Sequence, residues 1–189
     1  SRREPTAEPT CLLQALRRAA RDLQARACRA GVRLTQDLPE DLAPVMADKE
    51  HLTQAFSHLI DNAIKFSPDG GTVRLRAWED EGCSCVSVED QGIGIKQEHL
   101  DDIFERFYQV DGSINRRFEG MGIGLALVWE IVETYGGNVD VRSCPQAGST
   151  FVVSLPQARS EETFKYPLEA APSASSGRAG SLLEDAERA

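Results

Sequence analysis

The chain has 189 residues, 41% of them hydrophobic, a length and apolar content suited to one domain with a single core. Lysine plus arginine number 21 against 30 acidic residues, so the formal charge of −9 opposes nonspecific attraction to nucleic acid or anionic lipid, and a polyanionic ligand would have to be held by local groups. No run approaches the roughly twenty apolar residues of a membrane span and the first residues hold no signal-peptide core, so a soluble, cytoplasmic chain is expected.

Residues 11–29 place Leu12, Leu13, Leu16, Ala19, Ala20, Leu23 and Ala27 at helical spacing with arginines between them, an amphipathic helix stopped by Gly31. A short alternating strand is expected at 32–38, ending at Pro39. Asp48 suits a helix cap, and Leu52, Ala55, Phe56, Leu59, Ile60, Ala63 and Ile64 follow as the buried face of a second helix that ends near Ser67-Pro68. Pro68-Asp69-Gly70-Gly71 is turn chemistry, after which 73–78 and 83–88 read as two antiparallel strands. The stretch 90–124 carries glycines, charges and a short amphipathic segment at 100–107, the pattern of a functional loop or lid. A mostly apolar helix at 123–135, closed by Gly136-Gly137, precedes a second strand pair at 139–142 and 150–155. From about Gln157 the composition turns to Ala, Ser, Glu, Gly and Arg, and a flexible tail over 157–189 is expected.

The order implies an α+β fold, a two-layer sandwich with helices on one face of a mainly antiparallel mixed sheet. The cysteines, Cys11, Cys28, Cys83, Cys85 and Cys144, lack metal-ligand spacing and read as reduced thiols acting as small hydrophobes.

Three clusters carry chemistry. On the second helix His58, Asn62 and Lys65 form a polar stripe beside the buried one; the Asn62 carbonyl suits a hard cation such as Mg²⁺ and Lys65 a phosphate. The bland alternative is a solvated face with an Asp61 to Lys65 ion pair. Asp90-Gln91-Gly92-Ile93-Gly94 directly follows a strand, where glycines admit a flat ligand and a carboxylate accepts a hydrogen bond from an exocyclic amine. Gly120-Met121-Gly122-Ile123-Gly124 opens the third helix and frees amide N–H groups for an anion. A dinucleotide fold is set aside because an antiparallel strand pair follows, and a P-loop because no Gly-Lys-Ser/Thr occurs.

The series Asp61-Asn62-Ala63-Ile64-Lys65-Phe66-Ser67, Asp90-Gln91-Gly92-Ile93-Gly94-Ile95, Ile103-Phe104-Glu105-Arg106-Phe107-Tyr108 and Gly120-Met121-Gly122-Ile123-Gly124-Leu125-Ala126 resembles the four nucleotide-binding boxes of the sensor histidine kinases. These belong to the superfamily shared by gyrase, MutL and a heat-shock chaperone, with a Bergerat-type fold. Gly148-Ser149-Thr150 is similar to the family's last glycine motif, and the resemblance spans 11–156, with 1–10 as a linker from an upstream helical hairpin.

That resemblance implies that ATP and Mg²⁺ are bound, with Asn62 on the metal, Lys65 on the phosphates and Asp90 on the adenine amine. Gly92 and Gly94 would shape the base pocket, and Gly122 with Gly124 the phosphate cradle. The lid would span about 96–121, anchored by Phe104 and Phe107. His58, Phe66, Ile95, Tyr108, Gly120, Met121, Ile123, Leu125 and Thr150 complete the expected nucleotide contacts. Arg106, Arg116 or Arg117 are the candidates for the γ-phosphate, with Arg106 and Arg116 put first, since Gln109 stands where some members carry an arginine. His58 likewise replaces the family's usual first asparagine.

The implied partners are the dimerisation and phosphoacceptor domain of the parent kinase, a homodimer that membrane attachment would not exclude, and a response regulator receiver domain. The isolated domain would be a monomer with no nucleic-acid partner. Three other readings share the boxes: an ATP-driven clamp, a serine kinase of the anti-sigma type, and a nucleotide-binding module without catalysis.

Overall fold

The computed structural model describes residues 6–105 and 123–158. Strand β1 (Glu8–Thr10) leads into helix α1 (Leu12–Arg29), strands β2 (Val32–Asp37) and β3 (Val45–Ala47), and helix α2 (Lys49–Lys65). Strands β4 (Gly71–Asp80) and β5 (Cys83–Glu89), helix α3 (Gly124–Thr134), and strands β6 (Asn138–Ser143) and β7 (Ser149–Pro156) follow.

Each helix forms where its apolar period demands burial. In α1 Leu12, Leu13, Leu16, Ala19, Ala20 and Ala27 are buried as expected and Leu23 is partly buried, while Arg26 and Arg29 sit in the last turn, where cations offset the helix dipole. Helix α2 starts where Asp48 accepts from the backbone N–H groups of Glu50 and His51, two donors that no helical carbonyl can reach. Its buried stripe, centred on Phe56, Leu59 and Ile60, packs on Val73, Leu75, Val86 and Val88 of the sheet. Each such side chain removed from water contributes roughly 1.5–3 kcal/mol before entropy is counted.

The main sheet has the order β2-β4-β5-β7-β6. Only β2 and β4 pair in parallel, from Val32 opposite Gly71 to Asp37 opposite Arg76, because α2 serves as the crossover between them. The remaining pairs are antiparallel. Along β4 the residues Val73, Leu75 and Ala77 face the helices while Arg74, Arg76 and Trp78 face out, the alternation of a sheet covered on one side. The result is the two-layer α+β arrangement expected from the sequence.

One feature differs from the sequence reading. Residues 8–10, expected within a linker, form β1, which pairs with β3 in a separate two-stranded sheet that Gln157 extends through a bridge to Val45. Three-residue strands carry too little alternation to be seen in a sequence. In the stretch expected as a loop or lid, a short 3₁₀ turn, Gln97–His99, runs into turns up to Glu105, the last residue described there. The described residues close a compact unit at Ala158, and the tail expected beyond it lies outside them.

Helices α2 and α3 run antiparallel. His51, at the start of α2, shares a 2.9 Å hydrogen bond with the Tyr135 hydroxyl at the end of α3. His58, two turns on, lies against Gly124 at the start of α3. The later half of α2, the start of α3 and the loop after β5 therefore meet at one end of the sandwich.

Candidate functional site

The loop after β5 is built around Asp90, which is only 6% exposed. Its backbone N–H donates to the Ser149 carbonyl at 2.8 Å, and its Oδ1 accepts from the N–H groups of Gly92 at 2.8 Å and Ser149 at 3.3 Å. Burial pushes the carboxyl above the ordinary aspartate value, the two amides pull it back, and neighbouring Glu89 pushes it up again. A buried carboxylate held by backbone amides is fixed in orientation, which suits recognition of a donor on a flat ligand.

Glycine is required here by close backbone approach. A Cβ on Gly92 would come within 2.0 Å of the Phe66 carbonyl oxygen, and Ile93 donates to that same oxygen at 3.0 Å. A Cβ on Gly148, whose φ is +82°, would fall 2.0 Å from the Asp90 carbonyl oxygen. The loop is thus clamped between the end of α2 and the β6–β7 turn. Gly94 lies against Cys144, Gln146 donates to the Ile93 carbonyl at 2.8 Å, and Ile95 donates to Ser143 Oγ at 2.8 Å. Ser143 Oγ in turn donates to the Gly148 carbonyl at 2.9 Å.

On α2, His58, Asn62 and Lys65 are all half-buried along one stripe, as the spacing requires. Burial lowers the Lys65 pKa, Asp61 raises it and Arg26 lowers it further. The Lys65 Nζ stands 5.2 Å from the centre of the Phe66 ring. The alternative Asp61 to Lys65 pair is not formed. Asp61 instead meets Arg26 of α1 at 2.7 Å, a charge contact in which the guanidinium N–H is not aimed at Oδ1.

Helix α3 begins at Gly124 with Ile123 at its cap position, and neither a capping side chain nor an acidic residue lies in its first turn. Among the described residues no side chain caps its first amides, the N–H groups that an anion can take. Ile123 is exposed, and Leu125, Ile95 and Phe104 are partly buried against the core. The Phe104 ring packs on Trp129 at 5.7 Å and edge-on against Phe151 at 6.4 Å, which anchors the start of the expected lid. Thr150 pairs with Glu89 across β5 and β7, beside Asp90.

Asn62, Lys65 and Phe66 at the end of α2, Asp90, Gly92 and Gly94 of the loop after β5, Thr150 of β7 and Gly124 of α3 thus stand on four parts of the chain at one end of the sandwich. Arg106, Phe107, Tyr108, Arg116, Arg117, Gly120, Met121 and Gly122 lie outside the described residues. The sequence reading did not single out Ser149 and Ser143, whose backbone and hydroxyl bonds fix the Asp90 loop. Their signal was present in the Gly148-Ser149-Thr150 turn, though only strand register reveals which amide meets the carboxylate.

The donors present would suit a Mg²⁺ ion that takes few ligands from the protein. Asn62 offers one neutral oxygen, Asp61 is engaged by Arg26, and no group of three His, Cys, Asp or Glu side chains gathers among the described residues. Mg²⁺ commonly takes one or two protein oxygens and fills its octahedron with water and phosphate.

Residues 47–159 match the family described as histidine kinase-, DNA gyrase B-, and HSP90-like ATPase, more than half of the chain. The chain is 39% identical over 137 residues to the circadian input-output histidine kinase CikA of Synechococcus elongatus, covering 72% of this chain and 18% of that protein. It is 35% identical over 133 residues to the sensor histidine kinase WalK of Bacillus subtilis, covering 69% of this chain and 22% of that one. The chain thus spans less than a quarter of the length of these relatives.

Among solved structures it is similar to full-length ShkA in complex with AMPPNP, at 30% identity and a TM-score of 0.71, covering 84% of this chain and 32% of that one. It is also similar to the mycobacterial sensor histidine kinase MprB, at 28% identity and a TM-score of 0.69, covering 80% of this chain and 98% of that one. A covered sheet face, a clamped aspartate and an uncapped glycine-led helix are the parts a nucleotide would need, and the chain belongs to the histidine kinase-, DNA gyrase B- and HSP90-like ATPases, as an ATP-binding catalytic domain of the sensor histidine kinase kind.

Proposed function

We propose that this domain binds ATP with Mg²⁺ and delivers the γ-phosphoryl group to a histidine on a dimerisation and phosphoacceptor domain of its parent kinase. The phosphoryl group then passes to an aspartate of a response regulator. The observation that carries the reading is the clamped Asp90 carboxylate, a fixed acceptor for the exocyclic amine of a purine.

In this reading Asp90 and the backbone of 90–95 orient the base, while Lys65 and the first amides of α3 hold the phosphates. Asn62 holds Mg²⁺, which when bound neutralises charge on the phosphate oxygens. Phosphoryl transfer asks the protein for position and charge neutralisation more than for covalent chemistry. Arg106 or Arg116 supplies a further cation toward the γ-phosphate. The segment from about 96 to 121 excludes water as the lid, with the domain core running from 11 to 156. The domain acts in the cytoplasm, as a monomer by itself and within a homodimeric parent.

Calorimetric titration with ATP and ADP, with and without Mg²⁺, tests this on the wild type, Asp90→Ala and Asn62→Ala. Loss of a hydrogen bond to a charged group predicts a roughly 10- to 100-fold weaker Kd for both nucleotides in Asp90→Ala. Asn62→Ala should abolish only the gain in affinity that Mg²⁺ brings. Wild-type affinity in Asp90→Ala would refute the reading.

A further inference from the structure

We infer that Arg26, on α1 and outside the nucleotide boxes, is a positioning residue for the phosphate site: it engages Asp61 and so keeps Lys65 available to the nucleotide. The inference rests on the proposed role of Lys65. On an isolated helix, Asp61 and Lys65 stand at i and i+4 with the acid N-terminal, the favourable order for an ion pair. Such a pair would neutralise the lysine assigned to phosphate and draw it back along the helix.

The fold does otherwise. Arg26 reaches from the last turn of α1 to within 2.7 Å of Asp61 Oδ1, and Lys65 has no ion pair among the described residues. Its Nζ lies instead 5.2 Å from the centre of the Phe66 ring. Arg26 reaches Asp61 Oδ1 through one guanidinium nitrogen, and the contact acts as a pair of charges because a guanidinium stays protonated at any working pH. Its side chain is half-exposed and that of Asp61 30% exposed, so the contact is screened only in part.

Removing Arg26 releases Asp61 to Lys65. A partly exposed pair of this kind is worth a modest amount, so Arg26→Ala should weaken ATP and ADP binding by about three- to fivefold while leaving adenosine, which has no phosphate, unchanged. Loss of a positive charge would weaken phosphate binding at a distance in any case, and a double-mutant cycle separates the two causes. If Arg26 acts through Asp61, then Arg26→Ala with Asp61→Ala binds ATP as tightly as Asp61→Ala alone. If Arg26 acts directly by charge, the double variant loses the same factor as Arg26→Ala, and the inference is overturned. Unchanged ATP affinity in Arg26→Ala overturns it as well.

Asp61→Asn, which keeps the shape and removes the pull on Lys65, should bind ATP at least as tightly as the wild type. That variant serves as the test should Arg26→Ala unfold. Asp90→Ala in the same titrations keeps the two claims apart. If it loses adenosine and ATP together while the cycle is additive, only the Arg26 inference fails; if it loses neither, the nucleotide reading itself fails.

Discussion

The two halves of the site are made of different material. On the base side, Asp90, Gly92, Ile93, Ile95 and Gly148 are interlocked by backbone bonds and by contacts so close that no Cβ fits. On the phosphate side, His58, Asn62 and Lys65 are half-buried side chains on one helix, and His58 lies against the start of α3. The difference teaches where each kind of precision comes from. A flat base needs one fixed acceptor in a fixed slot, which backbone supplies. A flexible, highly charged chain of phosphates needs cations and amides that can adjust, which side chains on α2 and the start of α3 supply.

The largest expected effect breaks the base side. Gly148→Ala forces a side chain into a left-handed backbone and into the Asp90 carbonyl oxygen, which is backbone and has nowhere to move. A loss of roughly 3 kcal/mol or more, a Tm lower by about 10 °C, is expected in thermal unfolding, together with loss of ATP binding. A Tm within a degree or two of wild type would mean that the clamp is softer than its contacts imply.

Asp90→Asn separates stability from binding. Burial raises the Asp90 carboxyl above its ordinary value, so between the unfolded and folded pKa the folded chain holds more protons, and stability falls as pH rises through that window. At pH 7 the wild type therefore carries the whole cost of a buried charge. Asn keeps an oxygen for the two amides without that charge, and presents an N–H₂ where the purine amine also donates. The variant should have a higher Tm at pH 7, an advantage that shrinks as pH falls toward the acid range, with ATP binding weakened at least about tenfold. Equal Tm values across pH would show that the amides fully offset the burial.

Much of this was legible in the sequence because both layers carry strong periods. The stripes of α1 and α2 and the alternation of β4 are visible without coordinates. The parallel pairing of β2 with β4 was not, since it depends on which edge α2 carries the chain to. The site was legible as boxes, and its wiring was not. That Ser149 holds Asp90, and that Asp61 turns to Arg26 and away from Lys65, follow from register and helix packing between segments far apart in the chain.

The smallest expected effect sharpens the comparison from the phosphate side. Gly124, like Gly148, is a glycine in a crowded place, but a Cβ on it would meet His58 Nδ1 at 3.3 Å, an atom of a side chain that can turn away, and its φ is not left-handed. Gly124→Ala should therefore lower the Tm by no more than ~3 °C, because the crowding is partly offset by the better helix propensity of Ala. Adding His58→Asn, which removes ring atoms from that contact and restores the residue type usual in the resembling family, should return part of the loss. If Gly124→Ala is instead as damaging as Gly148→Ala, or if the double variant is worse than either single one, the phosphate side is as rigidly built as the base side. In that event its side chains are as fixed in place as the Asp90 loop, and the adaptability assigned to them must reside elsewhere in the chain.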